Sequence, residues 1–538
     1  MVTYLALVAI VIFACVLFRG VSGKLGIPML FAFILLGMLF GSDGIFKIPF
    51  DDYSFAEEIC TVALIFIMFY GGFGTKWSHA KPIAAHAIVL SSLGTVLTAG
   101  AVGVFCHYIL KFEFLESFLI GAVISSTDAA SVFSILRSKH LNLRYGTASL
   151  LEIESGSNDP FSYMLTVLIL ALMSGEATGG NFVVMILKQL FFGVIFGVVI
   201  AFIAEKFMKN LRFMSSGFDA VFLVAVAIIA FALPTLVGGN GYLSVYLTGI
   251  ILGNKRINNK QGLVHFFDGV TGLMQMLLFF LLGLLAFPSQ LPNIIIPAVC
   301  IAVFLTLVAR PLAVFLLSIP FRCNFKQLLV ISWAGMRGAA SIVFAILTVI
   351  STAFTQNDIF HIVFFIVLFS ILIQGSLIPF VAKKLDMTDD RSDVMKTFND
   401  YTDEFPIRYI QFTIPENHSW VGKKVKEIDL PPECLLVLVL RNGRNYVPKG
   451  NTHIHSGDVL ILSGRASEEI AGIHLHEKII SKGDEWENKT ISEIKEANKL
   501  IVMILRSDHT IIPKGNTKLH ENDILVINDI SDVDLNEA

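Results

Sequence analysis

The sequence predicts a polytopic α-helical membrane protein of about 13 transmembrane helices, built as an inverted repeat with crossed broken helices and followed by a small α+β cytoplasmic tail. Three observations predict it. The chain is 55% hydrophobic and only 15% charged, far from the balance of a soluble globular protein. Apolar stretches recur from Val2 to about Ala382 and then stop, and Lys383 to Ala538 is charged and alternating. Basic residues fall in every second loop between the apolar stretches. The boundaries read as a membrane domain over 1–385, a linker over 386–401 and two tail units over 402–470 and 478–538.

A crossing of a ~30 Å hydrocarbon core takes roughly 20 apolar residues at 1.5 Å each. That places spans near 2–20, 26–42, 56–74, 83–110, 115–136, 145–174, 181–205, 217–237, 240–253, 264–286, 292–317, 326–352 and 358–382. The N-terminus lacks a basic leader and a small-residue cleavage site, so the first span reads as retained. Alternate loops carry Arg19/Lys24, Lys76/Lys81, Arg137/Lys139/Arg144, Lys206/Lys209/Arg212, Lys255/Arg256/Lys260, Arg322/Lys326 and Lys383/Lys384. By the positive-inside rule these loops are cytoplasmic, the N-terminus is outside and the tail is inside the cell. This is a multi-pass protein of the inner, cytoplasmic membrane.

The sixth span is the informative one. In isolation EIESGSNDPFSY reads as a soluble helix start, with Asp159 as N-cap and Pro160 at the first helical position. The apolar run Phe161–Met173 alone would be too short to cross, yet the loop alternation fails without a crossing here. The helix must therefore begin near Tyr145, which puts Asn158 and Asp159 near its middle. A carboxylate there is costly unless it has a function or a partner.

The two halves of the membrane domain repeat. Gly37 and Gly41 correspond to Gly249 and Gly253, and Gly71 to Gly283, at one offset of 212. TDAASVF in span five parallels RGAASIVF in span twelve, with Thr127 opposite Arg337. Six spans per half with the seventh as connector make the repeats inverted, the architecture of secondary transporters. SSTDAAS and AGMRGAAS are polar, small-residue clusters in mid-span, where a helix breaks. Crossed breaks would bring helix ends of both signs into the membrane, for Asp128 to neutralise the positive and Arg337 the negative.

Asp128, Glu154, Asn158, Asp159 and Arg337 thus fall near mid-membrane. One reading is a structural network in which Arg337 and Glu154 are partners. Asp159 differs, because one arginine cannot pair all these groups. An unpaired acid facing a wet cavity holds either a proton or a cation, but not both. Thr127, Ser155 and Asn158 add neutral oxygens suited to a partly dehydrated monovalent ion. Arg310, in VARPLAVF, reads as a snorkelling or structural arginine.

The motifs STDAASVFSIL, LEIESGSNDP and GMRGAASIVFA, in this order, make residues 1–385 resemble the NhaP-type cation/proton antiporters. The resemblance implies an elevator-like exchanger, usually a homodimer, with Asp159 as the alternating cation and proton carrier. It implies that Glu154, Ser155, Thr127 and Asp128 complete or support the ion site, and that Asn158-Asp159 goes with electroneutral exchange.

The tail repeats as well. Leu435–Leu462 aligns with Leu500–Ile527, with Arg441 and Arg506 65 apart and PKGNT identical in both. Alternating apolar strands with Gly/Asn turns indicate two small β-rich units. They resemble RCK C-terminal (TrkA-C) domains, the first the more complete match, the second shorter. The resemblance implies regulation, with cyclic di-AMP between paired copies as one expected ligand and ligand-free dimerisation as the alternative. No GxGxxG follows a strand, so a bound NAD is not expected, nor any resident cofactor. His453, His455, His509 and His520 read as surface residues.

These observations point to exchange of K+ for H+, with Na+ in place of K+ as the first alternative. Potassium rests on the tail, since the site's oxygens take either ion. A net charge of −3 argues against a nucleic-acid partner. A channel would want a filter such as TVGYG, which is absent. A Na+-coupled organic-solute carrier and a membrane-embedded hydrolase using Asp128 and Asp159 are the remaining alternatives, and an enzyme is not expected. The six cysteines show no metal-binding spacing.

Overall fold

The structure, a computed structural model, describes residues 9, 12–17, 29–128, 131–132, 135–136, 141–176, 180–210, 218–255, 257, 259–388, 407–431, 434–441, 443–465, 475–494, 499–506 and 509–529. Two compact units divide the chain, Met1–Thr402 and Asp403–Ala538. Most of the predicted first span and most of the predicted linker lie outside the described residues.

In the first unit, seven described helices are long and apolar enough to cross a membrane, among them Tyr53–Gly74, Lys260–Leu284 and Ile359–Lys384. Met29–Phe40, Phe114–Val123, Gly241–Gly253 and Ala339–Ile350 are shorter apolar helices. The sixth predicted span is a continuous helix, Thr147–Met173, of 27 residues. At 1.5 Å per residue that is about 40 Å, with Asn158 and Asp159 near its centre. Gly146, at φ +66°, supplies the left-handed turn from which it starts.

Glycine contacts tie the two halves together in equivalent pairs. A Cβ on Gly37 would stand 2.1 Å from the Phe280 carbonyl oxygen and 2.9 Å from Gly283 Cα. A Cβ on Gly249 would stand 2.4 Å from the Phe69 carbonyl oxygen and 3.2 Å from Gly72 Cα. Helix Met29–Phe40 therefore packs backbone-close on Lys260–Leu284, and Gly241–Gly253 on Tyr53–Gly74, as small residues permit in membrane helices. One expectation shifts by a residue. Gly72, not Gly71, is the packing counterpart of Gly283, because Gly71 meets nothing within 4 Å and lines a cavity instead.

Both mid-span clusters are breaks. Helix Phe114–Val123 ends ahead of Ser126–Asp128, which are not helical, and Ser131 and Val132 are again helical. Helix Phe325–Trp333 gives way to non-helical Gly335–Gly338 before Ala339–Ile350. The Asp128 N–H donates to the Met336 carbonyl at 2.8 Å, joining the two breaks.

The second unit holds two antiparallel four-stranded sheets of the same order, β1-β4-β2-β3 and β5-β8-β6-β7. The strands are β1 Ile407–Thr413, β2 Leu435–Arg441, β3 Arg444–Tyr446 and β4 Val459–Arg465, then β5 Leu475–Ile479, β6 Lys499–Arg506, β7 His509–Ile511 and β8 Ile524–Asp529. Both carry a bulge at the same place, between Leu436 and Leu438 and between Ile501 and Met503. The second sheet begins at Leu475, ahead of the 478 read from the sequence, and has as many strands as the first.

The aligned arginines do the same work in each sheet. Arg441 grips Asp458 through Nε and Nη2, both at 2.7 Å, and Arg506 grips Asp523 in the same way at the same distances. Burial pushes the Asp458 carboxyl up, but the Arg441 guanidinium and the His455 N–H outweigh it and hold it below the usual range.

Candidate functional site

A cavity of about 690 Å³ opens beside the crossed breaks. Among the described residues four acids line it, Asp128, Glu152, Asp159 and Asp268. Helix Thr147–Met173 presents Glu152, Ser155, Gly156 and Asp159 to it, positions i, i+3, i+4 and i+7 of one face. Glu154 and Asn158 lie on the neighbouring face, 1% exposed, and do not line the cavity.

That difference in phase separates the roles of the expected site residues. Glu154 pairs with Arg310: Nη1 lies 2.6 Å from Oε1, and Nη2 donates to Oε2 at 2.8 Å. Arg310 is thus a buried structural cation, not a snorkelling one, and it replaces Arg337 as the expected partner of Glu154. The reason is space at the second break. A Cβ on Gly335 would stand 2.6 Å from Arg310 Nε, so the glycine lets the arginine pass.

Asn158 stitches the helix to the first break. Its Nδ2 donates to Thr127 Oγ1 at 2.6 Å and its Oδ1 accepts the Thr127 N–H at 3.2 Å. Ser155 Oγ donates to the Thr127 carbonyl at 2.5 Å. Thr127, Ser155 and Asn158 therefore hold the unwound segment in place, and Thr127 and Ser155 also line the cavity.

The two structural charges sit at helix ends. Arg337 Nη1 donates to the Ser125 and Ser126 carbonyls, both at 2.7 Å, at the C-terminal end of the Phe114–Val123 helix. Asp128 accepts from the Ser131 N–H at 3.2 Å and from its hydroxyl at 2.5 Å, capping the resumed helix. Its Oδ2 stands 2.3 Å from where a Gly338 Cβ would be, at the N-terminus of Ala339–Ile350. Only glycine at 338 allows that approach.

Asp159 is placed differently. It is partly exposed at the cavity wall, and its Oδ1 accepts the Ser126 hydroxyl. Among the described residues no lysine or arginine forms an ion pair with it. Pro160 brings no N–H, so the Gly156 carbonyl one turn back has no helical donor and is a further neutral oxygen beside Asp159. A carboxylate with a hydroxyl and a neutral carbonyl beside it, open to the cavity, can take a small cation or a proton. Ser126, Glu152, Asp268, Tyr70 and Tyr246 also line this cavity and were not assigned to the site from the sequence. Glu152 and Asp268 carried a readable signal, being acids inside predicted spans.

Comparison with known proteins agrees with this fold. A family model described as "Sodium/hydrogen exchanger, transmembrane" matches residues 8–384, and a TrkA-C domain model matches 409–471 and 475–530. The chain is 32% identical to the K(+)/H(+) antiporter NhaP2 of Shewanella sp. (strain MR-4), over 84% of this chain and 79% of that one. It is 34% identical to the K(+)/H(+) antiporter NhaP of Alkalimonas amylolytica, over 80% and 76%. The sodium proton antiporter MjNhaP1 from Methanocaldococcus jannaschii superposes with a TM-score of 0.63 at 25% identity, over 71% of this chain and 98% of that one. With a transmembrane match across most of its length and two TrkA-C matches behind it, the chain belongs to the sodium/hydrogen exchanger family of multi-pass membrane transporters.

Proposed function

We propose that the protein exchanges K+ for H+ across the cytoplasmic membrane by alternating access, with Asp159 as the carrier of either ion. The observation that carries this reading is the contrast between two acids five residues apart on one helix, on different faces. Glu154 is neutralised by Arg310, whereas Asp159 faces the cavity with a hydroxyl and, among the described residues, no cationic side chain paired to it. Proton and cation compete for the same carboxylate, so each crossing carries one or the other. One positive charge travels either way, which makes the exchange electroneutral. Ser126, Ser155 and the Gly156 carbonyl supply neutral oxygens around the cation, and Asp128 and Arg337 hold the helix ends that frame it.

Topology supports an inward-facing state. The cavity residues Met29, Tyr70, Glu152 and Asp268 all lie in the helix halves next to basic loops, which the positive-inside rule places in the cytoplasm. The N-terminus is then outside and the TrkA-C tail cytoplasmic. The protein works as a homodimer whose tail regulates exchange, with a nucleotide such as cyclic di-AMP as its ligand. Potassium is favoured by the relatives named K(+)/H(+) antiporters; a Na(+)/H(+) antiporter of M. jannaschii, 27% identical, keeps sodium as the second reading.

The test uses purified protein in liposomes with an acid interior and a trapped pH dye. External K+ is expected to alkalinise the interior, and Na+ at equal concentration to do so less. A stronger response to Na+ reverses the ion assignment, and no proton movement with either ion contradicts the exchange itself.

A further inference from the structure

Helix Lys260–Leu284 carries a polar stripe on its cavity side. Asp268, Thr271 and Gln275 stand at i, i+3 and i+7, on one helix face, and all three line the cavity that holds Asp159. An ionisable group inside a span marks an ion path by default. The Tyr70 hydroxyl, from helix Tyr53–Gly74, lies 3.0 Å from Asp268 Oδ1 and donates to it. A phenol hydrogen bond orients a carboxylate but leaves its negative charge in place. Thr271 is 7% exposed, and among the described residues its hydroxyl has no hydrogen-bond partner. The Thr147–Met173 helix, with Asp159, forms another wall of the same cavity.

We infer that Asp268, oriented by Tyr70 and flanked by Thr271 and Gln275, is a second cation-engaging site, an entry site that a monovalent ion occupies before it reaches Asp159. It lies in the helix half next to the basic Lys255–Lys260 loop, so it serves the cytoplasmic mouth. A carboxylate, a hydroxyl and an amide oxygen suit a partly hydrated Na+ or K+. Asp268 raises the local cation concentration at the cavity without itself crossing, as charged cleft walls do. The inference rests on the reading of Asp159 as carrier.

Initial exchange rates in proteoliposomes as a function of K+ concentration test it, for wild type, Asp268→Asn, Asp268→Glu and Tyr70→Phe. Asp268→Asn is expected to raise the apparent KM for K+ about fivefold, the size of one water-screened charge contact, while the saturating rate is retained. Asp268→Glu restores the KM to within about twofold, and raising ionic strength with an impermeant salt shrinks the difference. Tyr70→Phe, which keeps the charge and loses its orientation, gives a rise of about twofold and serves as the test if Asp268→Asn does not fold. An unchanged KM in Asp268→Asn, or a fall in saturating rate alone, overturns the inference while leaving Asp159 as carrier. A wild type that moves no protons overturns both.

Discussion

Asp159→Asn protein, purified and reconstituted, shows no cation-driven proton movement above empty liposomes, and its thermal unfolding stays close to that of wild type. The asparagine keeps a carbonyl oxygen that can accept the Ser126 hydroxyl, so the local packing survives. What it loses is the charge that a cation neutralises and the site that a proton occupies. Because both halves of the cycle use that one oxygen pair, the loss is complete, not partial. Exchange retained in a folded Asp159→Asn protein would move the carrier to another cavity acid, Glu152 or Asp128. Glu154 is not such a candidate, since its carboxylate is already held by Arg310.

The second large effect falls on stability. Arg310→Met leaves the Glu154 carboxylate buried without its cation, where both side chains are at most 4% exposed. Removing one partner of such a pair costs about 3–5 kcal/mol. Thermal unfolding in detergent should therefore drop sharply for Arg310→Met and for Glu154→Leu. The double variant should recover most of the loss, because a well-packed apolar pair avoids the desolvation of both charges. Additive losses in the double variant would show that the two side chains stabilise the protein independently. The pair bridges helix Thr147–Met173 and helix Arg310–Ser318, so its loss loosens the support behind the site.

Much of this arrangement is legible in the sequence, and the limits have physical causes. Loop charges alone require the sixth crossing and so place Asp159 in the membrane. The polar clusters SSTDAAS and AGMRGAAS mark both breaks, because small polar residues between apolar runs cannot be explained by lipid. Pairing is less legible. The sequence offers Arg337 as the partner of Glu154 and reads Arg310 as a snorkelling or structural arginine, and only packing at Gly335 shows that Arg310 takes the carboxylate. Gly71 and Gly72 are adjacent and alike, and only helix phase tells that one faces the cavity and the other a helix. The phase of helix Thr147–Met173 was readable, since Glu152, Ser155 and Asp159 share a spacing that excludes Glu154 and Asn158. Asp268 escapes notice because the apolar LLFFLLGLL run that follows dominates its span.

Competition at a single carboxylate is the central claim, and the pH dependence of the apparent KM for K+ tests it most directly. Proteoliposome exchange would be measured from acid to alkaline pH with the saturating rate and KM separated at each step. The account predicts that KM rises as pH falls, approaching tenfold per unit (about 1.4 kcal/mol) once the site is mostly protonated, and levels off on the alkaline side. A KM that does not change with pH would mean that proton and cation use different groups, and would contradict the account.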